Sequence, residues 1–321
     1  MTSDAFRHVS VLAKEVLDYL KPRPGGVYLD GTLGGGGHAS LVLDACSPDG
    51  QLIGLDQDCD ALAAATASLA GFGERAVLRH ANFSQMESQL DQLGIEAVDG
   101  ILLDLGVSSY QLDQASRGFS FREEGPLDMR MNASAGQTAA DVLAETERDE
   151  LRRIFREYGE ERFAGRIASA IVRNRELQPL TTTTQLAELV SGAVPGGRAP
   201  QRIHPATRVF QALRIYVNEE LASLQTGLEA GFNRLKPGGR MVVISFHSLE
   251  DRMVKRAFRA SATGCVCPPR LPVCSCGRKP LAKVLTRKAV RATEEEISQN
   301  PRSRSAVLRA LEKLPVEGCH V

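Results

Sequence analysis

A chain of 321 residues with 43% apolar content buries a substantial core and is expected to form two domains, since domains cluster near ~100–150 residues. No stretch reaches the ~20 apolar residues of a membrane span and the first residues lack an apolar signal core, so a soluble, cytoplasmic protein without membrane contact is expected. Seven cysteines, an odd number, suit a reducing compartment better than a disulfide framework.

In chain order, Val9, Val11, Leu12, Val16, Leu17 and Leu20 recur at near-helical spacing and predict a leading helix. Val27-Tyr28-Leu29-Asp30 predicts a short buried strand ending in an acid. It feeds the glycine run Gly31-Thr32-Leu33-Gly34-Gly35-Gly36-Gly37-His38 and a helix over 38–45. Glycine accepts positive φ without cost and lets a ligand approach the main chain, while the amides of the following helix point at that ligand. Residues 51–56 predict a second strand ending in an acid, 59–69 an alanine-rich helix, 76–83 a third strand, 86–93 an amphipathic helix and 100–104 a fourth strand. This alternation predicts a mostly parallel, doubly wound α/β sheet. Ligands bind such sheets at the carboxyl ends of the strands, where Asp30, Asp56 and Asp104 fall.

The alternation then stops. Residues 110–137 are loop-like. Leu151, Ile154, Phe155 and Tyr158 follow at i, i+3, i+4 and i+7, and Phe163, Ile167 and Ile171 repeat every four residues. Thr182–Thr184 can cap a helix carrying Leu186, Leu189 and Val190 before a break at 195–200. Residues 110–205 are thus predicted to be an inserted all-helical domain for substrate recognition, splitting a sheet domain of residues 1–109 and 206–321. A long helical stretch from His204-Pro205 ends at Leu235–Arg240, and Met241–Ser245 predicts a fifth strand. Apolar runs at 282–285 and 306–311 predict the last two strands, the final one as an antiparallel edge.

Two cofactor readings compete at the glycine run. Gly34-x-Gly36-x-x-Ala39 with Asp56 fits the dinucleotide fingerprint, but leaves Asp30 and Asp104 without a role. An acid before the glycines, another at the end of the fourth strand and a Leu-Lys-Pro-Gly-Gly-Arg turn into the fifth instead resemble the pattern of S-adenosylmethionine-dependent methyltransferases. Longer motifs narrow this: Asp30–His38, Leu102-Leu-Asp-Leu-Gly-Val-Ser-Ser109, Arg117-Gly-Phe-Ser-Phe121, Pro126-Leu-Asp-Met-Arg-Met131, His204–Arg214, Val243–Arg252 and Asn300-Pro-Arg-Ser-Arg-Ser305. Together they resemble the bacterial RsmH/MraW family of small-subunit ribosomal RNA cytosine-N4 methyltransferases. Ser10 and Tyr110 depart from it, standing where proline is expected.

The resemblance implies a class I Rossmann-like fold, S-adenosyl-L-methionine as cofactor and 16S rRNA of the small ribosomal subunit as partner. It implies that Gly36, Gly37 and His38 contact the methionine end of the cofactor, Asp56 the ribose and Phe83 the adenine. Asp104 would bond near the adenine or the methionine amine, and Gln111 would close the pocket. Methylating an amine conjugated with the cytosine ring requires alignment and a proton acceptor, for which Asp104, a backbone carbonyl in Leu105 to Ser108, the Ser108 hydroxyl and His247 stand as candidates. Methylation of another nucleic-acid or protein amine, or a ribosome-assembly factor with a vestigial pocket, are the alternative readings.

The net charge of zero hides an asymmetry. Between Arg252 and Arg291 stand eleven Lys and Arg and no Asp or Glu, so the rest of the chain carries −11. The block reads either as a polyanion surface or as a solvated loop. Arg252, Arg256, Arg259, Lys279 and Lys283 within it, with Arg162, Arg166 and Arg173 elsewhere, are candidate phosphate binders, and Phe246 could stack on a flipped base. Cys265-x-Cys267 and Cys274-x-Cys276 offer four thiols. A one-residue spacer strains tetrahedral zinc geometry, so no metal is expected.

Overall fold

In the computed structural model, which describes residues 10–196, 204–267 and 275–315, the predicted apolar runs become strands whose order explains their burial. Ala13–Leu20 (α1) precedes Val27–Asp30 (β1), Gly37–Ala45 (α2), Gln51–Asp56 (β2), Cys59–Leu69 (α3), Ala76–His80 (β3), Met86–Gln92 (α4) and Val98–Asp104 (β4). Helices alone follow: Ser109–Asp113 (α5), Ala139–Glu145 (α6), Arg148–Glu157 (α7), Ala164–Arg175 (α8), Thr183–Ala193 (α9), Ala206–Val217 (α10) and Glu220–Arg234 (α11). Leu235–Ser245 (β5), Ser248–Ala262 (α12), Ala282–Val284 (β6), Val290–Arg291 (β7), Glu294–Gln299 (α13) and Val307–Lys313 (β8) complete the chain.

The strands form one sheet in the order β3-β2-β1-β4-β5-β8-β6, with β7 also paired to β8. Pairs from β3 through β5 are parallel, and β8 is antiparallel to both β5 and β6. The final strand is therefore not the edge that the sequence suggests. β8 pairs with β5 on one side and with β6 on the other, and three-residue β6 takes the edge, where a short strand resists mispairing. The Lys236-Pro237-Gly238-Gly239 turn, read above as ending a helix, is looped out of β5. Pairing partners jump from Leu235 to Arg240 while β4 advances only from Val98 to Gly100, and Gly238 at φ +79° supplies the left-handed step.

Both faces of the sheet are covered. Leu52, Leu102, Val242, Ile244 and Leu308 pack with residues of α1, α2 and α3 on one face. Ile53, Ile101, Leu103, Met241 and Val243 pack with Met86 and Leu90 of α4, Leu224 and Leu228 of α11, and Val254 and Phe258 of α12 on the other. This is the doubly wound α/β arrangement expected of parallel strands buried on both faces.

The chain divides into two units, one of Met1–Gly106 with Ser223–Val321 and the other of Val107–Ala222. The sheet unit thus resumes at 223, later than the expected 206. α10 belongs with the helical unit because its Val209, Phe210, Ala212 and Leu213 join the core of Ile154, Phe155, Ile167 and Ile171. The long helical stretch after residue 204 is two helices, parted at Glu219, whose φ is +49°.

Phe155, fully buried in the helical core, and Leu177, 89% exposed, set a contrast. Phe155→Ala is expected to lose about 3–5 kcal/mol in chemical denaturation, whereas Leu177→Ala should stay within about 0.5 kcal/mol of the parent.

Candidate active site

The glycine run is held by the acids on either side of it. Asp30 ends β1 almost completely buried, and its Oδ1 accepts the N–H of Thr32 at 3.1 Å. Thr32 Oγ1 accepts the N–H of Asp104 at 2.6 Å, which joins the end of β1 to the end of β4. Asp56, at the end of β2, accepts from Gly34 N–H through Oδ2 (2.8 Å) and from Asp58 N–H through Oδ1 (2.9 Å). Each Asp56 oxygen keeps acceptor capacity, because a carboxylate offers about four lone-pair positions. Gly36, at φ +83°, approaches Ser68 and Leu69 so closely that a Cβ would fall 2.8 Å from Ser68 Oγ, whereas Gly35 faces open space. α2 starts at Gly37 without a side-chain cap hydrogen bond, and the first-turn amides of a helix have no intrahelical partner.

His38, in the first turn of α2, is buried between two acids. Its Nε2 lies 3.6 Å from Asp104 Oδ2. Burial disfavours its cation, but the nearby carboxylates of Asp104 and Asp30 outweigh that, and its pKa is raised. Burial likewise pushes the Asp30 carboxyl up to about 6, against the opposing pull of His38. Burial raises Asp56 too, offset by the backbone N–H groups it accepts from.

The ends of β5 and α12 form a second cluster. His247 caps α12, its Nδ1 accepting Glu250 N–H at 3.4 Å. Glu250, buried, accepts Phe246 N–H at 2.8 Å and His247 N–H at 3.3 Å through Oε2. His247 Nε2 comes within 3.0 Å of Glu250 Oε1 without hydrogen-bond alignment. With Nδ1 engaged as a cap, His247 is better suited to hold this turn than to act as a base. Phe246 is half-buried beside Gly106, where a Cβ would lie 3.5 Å from its ring. In the helical unit, Ser108 and Gln111 form a capping box on α5. Ser108 Oγ accepts Gln111 N–H at 3.2 Å, and Gln111 Oε1 accepts Ser108 N–H at 2.9 Å. Phe83 is half-buried, and Gly31 and Gly227 let the backbone close against it.

Among the described residues, the buried side-chain polar atoms without a hydrogen-bond partner are His38 Nδ1 and Nε2, Asp104 Oδ1, Ser245 Oγ and His247 Nε2. They belong to the first turn of α2, the ends of β4 and β5 and the cap of α12. Buried polar groups are normally paired, and these five atoms are concentrated at the carboxyl edge of the sheet.

The candidate phosphate binders fall into two groups. Arg162, Arg166 and Arg173 line a cavity of about 790 Å³ with Arg148 and Phe163. Arg162 and Arg166 lie over the Phe163 ring at 4.5 and 5.9 Å. In the sheet unit, Arg252, Lys255, Arg256 and Arg259 are exposed on one face of α12. That helix is fastened to β8 by Asp251, which accepts from Arg309 at 2.6 and 3.1 Å. Lys279 and Lys283 are exposed as well. Arg270 and Cys274 lie outside the described residues.

Sequence reasoning did not single out Thr32 or Arg148, and it named Ser245 and Glu250 only as members of the Val243–Arg252 motif, without a role of their own. Glu250 was within reach, since His-x-x-Glu before a helix is a capping-box spacing. Thr32 and Ser245 carry no local signal, because their roles depend on which strand lies alongside.

The model of the MraW methylase family matches residues 5–314. The ribosomal RNA small subunit methyltransferase H of Syntrophotalea carbinolica is 62% identical, covering 98% of this chain and 100% of its own length. Proteins with the same description from Pelobacter propionicus and Geotalea uraniireducens are 59% and 58% identical, each over 96% of this chain and 99% of theirs.

The raised Asp30 pKa fixes a sign. The folded state holds this proton up to about pH 6 while the unfolded chain releases it near 3.8, so the contribution of Asp30 to stability falls as pH rises between these values. Asp30→Asn keeps an acceptor for Thr32 N–H and never ionises. Relative to the parent it should gain on the order of 2–3 kcal/mol between pH 4 and pH 7. A difference in unfolding free energy that does not change with pH would refute the assignment.

Proposed function

The chain belongs to the MraW methylase family, and we propose that it transfers a methyl group from S-adenosylmethionine to the exocyclic N4 amine of a cytosine in 16S ribosomal RNA of the small subunit. The observation that carries this reading is the set of unpartnered buried polar atoms on His38, Asp104, Ser245 and His247 at the carboxyl edge of the sheet, in a chain whose relatives are named for ribosomal RNA methylation.

The residues fit this cofactor. Its methionine end is a zwitterion, and the site offers Asp104 Oδ1 as an acceptor for the ammonium group and His38 as a donor for the carboxylate. Asp56 retains acceptor capacity for the ribose hydroxyls, Gly36 and Gly37 bring the main chain close, and Phe83 flanks the adenine. When bound, the cofactor supplies an electrophilic methyl group on a sulfonium. The protein holds the amine in line with that methyl and accepts the proton the amine releases, mainly by positioning and electrostatics. Ser108 and His247 are committed to helix caps and position the turns on which they sit. Gln111 acts with Ser108, and Phe246 offers a half-buried ring for the base.

The helical unit serves substrate recognition. Arg162 and Arg166, with Arg148 and Arg173, take up phosphates, and Arg252, Arg256, Arg259, Lys279 and Lys283 form a second basic surface on the sheet unit. No helix among the described residues is long and apolar enough to cross a membrane, and an enzyme of this substrate works in the cytoplasm, where small subunits are assembled.

Incubation of the protein with methyl-labelled cofactor and small-subunit RNA, followed by nucleoside mass spectrometry, should yield N4-methylated cytosine. Label that stays in the cofactor or enters only protein overturns the reading. RNA affinity should fall by ~0.7 log units per log unit of salt for each phosphate contacted. Changing Arg252, Arg256, Arg259 and Lys283 to Gln should flatten that slope by roughly 2–3.

A further inference from the structure

Cys265, Cys267 and Cys276, in the connection between α12 and β6, have no part in the chemistry above. Their three sulfurs lie within 4.8 Å of one another, and Cys265 Sγ and Cys276 Sγ are 3.7 Å apart. Two thiolates bound tetrahedrally to one zinc at ~2.3 Å stand about 3.8 Å apart, whereas a disulfide requires ~2.05 Å. The one-residue spacer, which argues against a metal in the sequence, does not keep Cys265 and Cys267 from converging.

Hydrophobic packing does not account for this convergence. Cys265 and Cys276 are exposed, Cys267 is half-buried and Val266 between them is 57% exposed. Cys46, fully buried in the core, shows the packing role of a thiol in this protein. The two arms of the connection are already drawn together: Leu281 N–H donates to Ser261 O at 2.9 Å, and Arg278 Nη2 donates to Ala260 O at 2.8 Å. Such a preformed approach lowers the entropy of closing a metal chelate across eleven residues.

We propose that Cys265, Cys267 and Cys276 bind one zinc ion, with one tetrahedral position left to a further donor. Each thiol that binds releases its proton and coordinates as thiolate, so binding is expected to release protons and to strengthen with rising pH. The ion clips the connection that carries Arg278 and Lys279 to the end of α12, so that these cations are presented with Arg256 and Arg259 as one ordered surface.

The test uses the full chain purified without an affinity tag under reducing conditions, with metal measured by plasma mass spectrometry. The expected result is one zinc per chain, or uptake of one when reduced apoprotein is titrated with zinc chloride. Zinc should be lost in Cys265→Ser/Cys276→Ser and retained in Cys59→Ser, whose exposed thiol lies outside the cluster. Cobalt substitution should give a thiolate-to-metal charge-transfer band in the parent and in Cys59→Ser only. Circular dichroism of the double variant separates metal loss from unfolding. Failure of the reduced parent to take up zinc, full metal content in a folded double variant, or a Cys265–Cys276 disulfide under the same reducing conditions overturns the proposal.

Discussion

Carboxylates buried at the ends of parallel strands impose the condition that the rest of the sheet unit satisfies. An ionised group as deeply buried as Asp30 is costly unless charge and hydrogen bonds compensate it. Here the compensation comes from His38 and from the N–H of Thr32. Thr32 also receives the N–H of Asp104, and Gly34 donates to Asp56. One short loop therefore connects all three acids, and its backbone must pass through left-handed conformations at Gly34 and Gly36 to do so. Preorganised polar groups of this kind favour a polar ligand, because their desolvation has already been met in folding.

The same loop relates charge balance to cofactor choice. A dinucleotide reading gives Asp56 a role and leaves the buried Asp30 and the half-buried Asp104 without purpose. In the folded protein those two acids raise the His38 pKa against the effect of burial, and the resulting donor and acceptor pair suits the amino-acid end of S-adenosylmethionine. The glycine spacing alone does not carry that information.

Two motifs of apparent catalytic character turn out to be helix caps. Ser108 with Gln111 and His247 with Glu250 each close a turn by reciprocal side-chain to main-chain bonds. Such caps contribute on the order of 1 kcal/mol each. Here they also fix the direction in which the chain leaves a functional segment, so a residue type suited to acid–base work is used for position. The basic block behaves similarly. The Asp251–Arg309 pair fastens α12 to β8, which places four of the block's cations, Arg252, Lys255, Arg256 and Arg259, on one helical face.

Local pattern was sufficient for much of this molecule. The strands at 27–30 and 51–56, the strand read as 100–104, the helical periodicities around 151–158 and 163–171, and the acids at the strand ends are legible because side-chain periodicity and glycine conformation act over a few residues. The order β5-β8-β6, the attachment of α10 to the helical unit and the bulge at 236–239 were not, because each depends on which element packs alongside. The same holds for the site. Asp30, His38 and Asp56 can be named from the chain, but the Thr32–Asp104 bond spans 72 positions and the Cys265–Cys276 approach spans eleven. The sequence by itself determined which chemical groups this protein has and the strand ends at which they stand. Only the tertiary structure decided which of them are paired and which are left facing a ligand, since a buried group's partners come from residues distant along the chain.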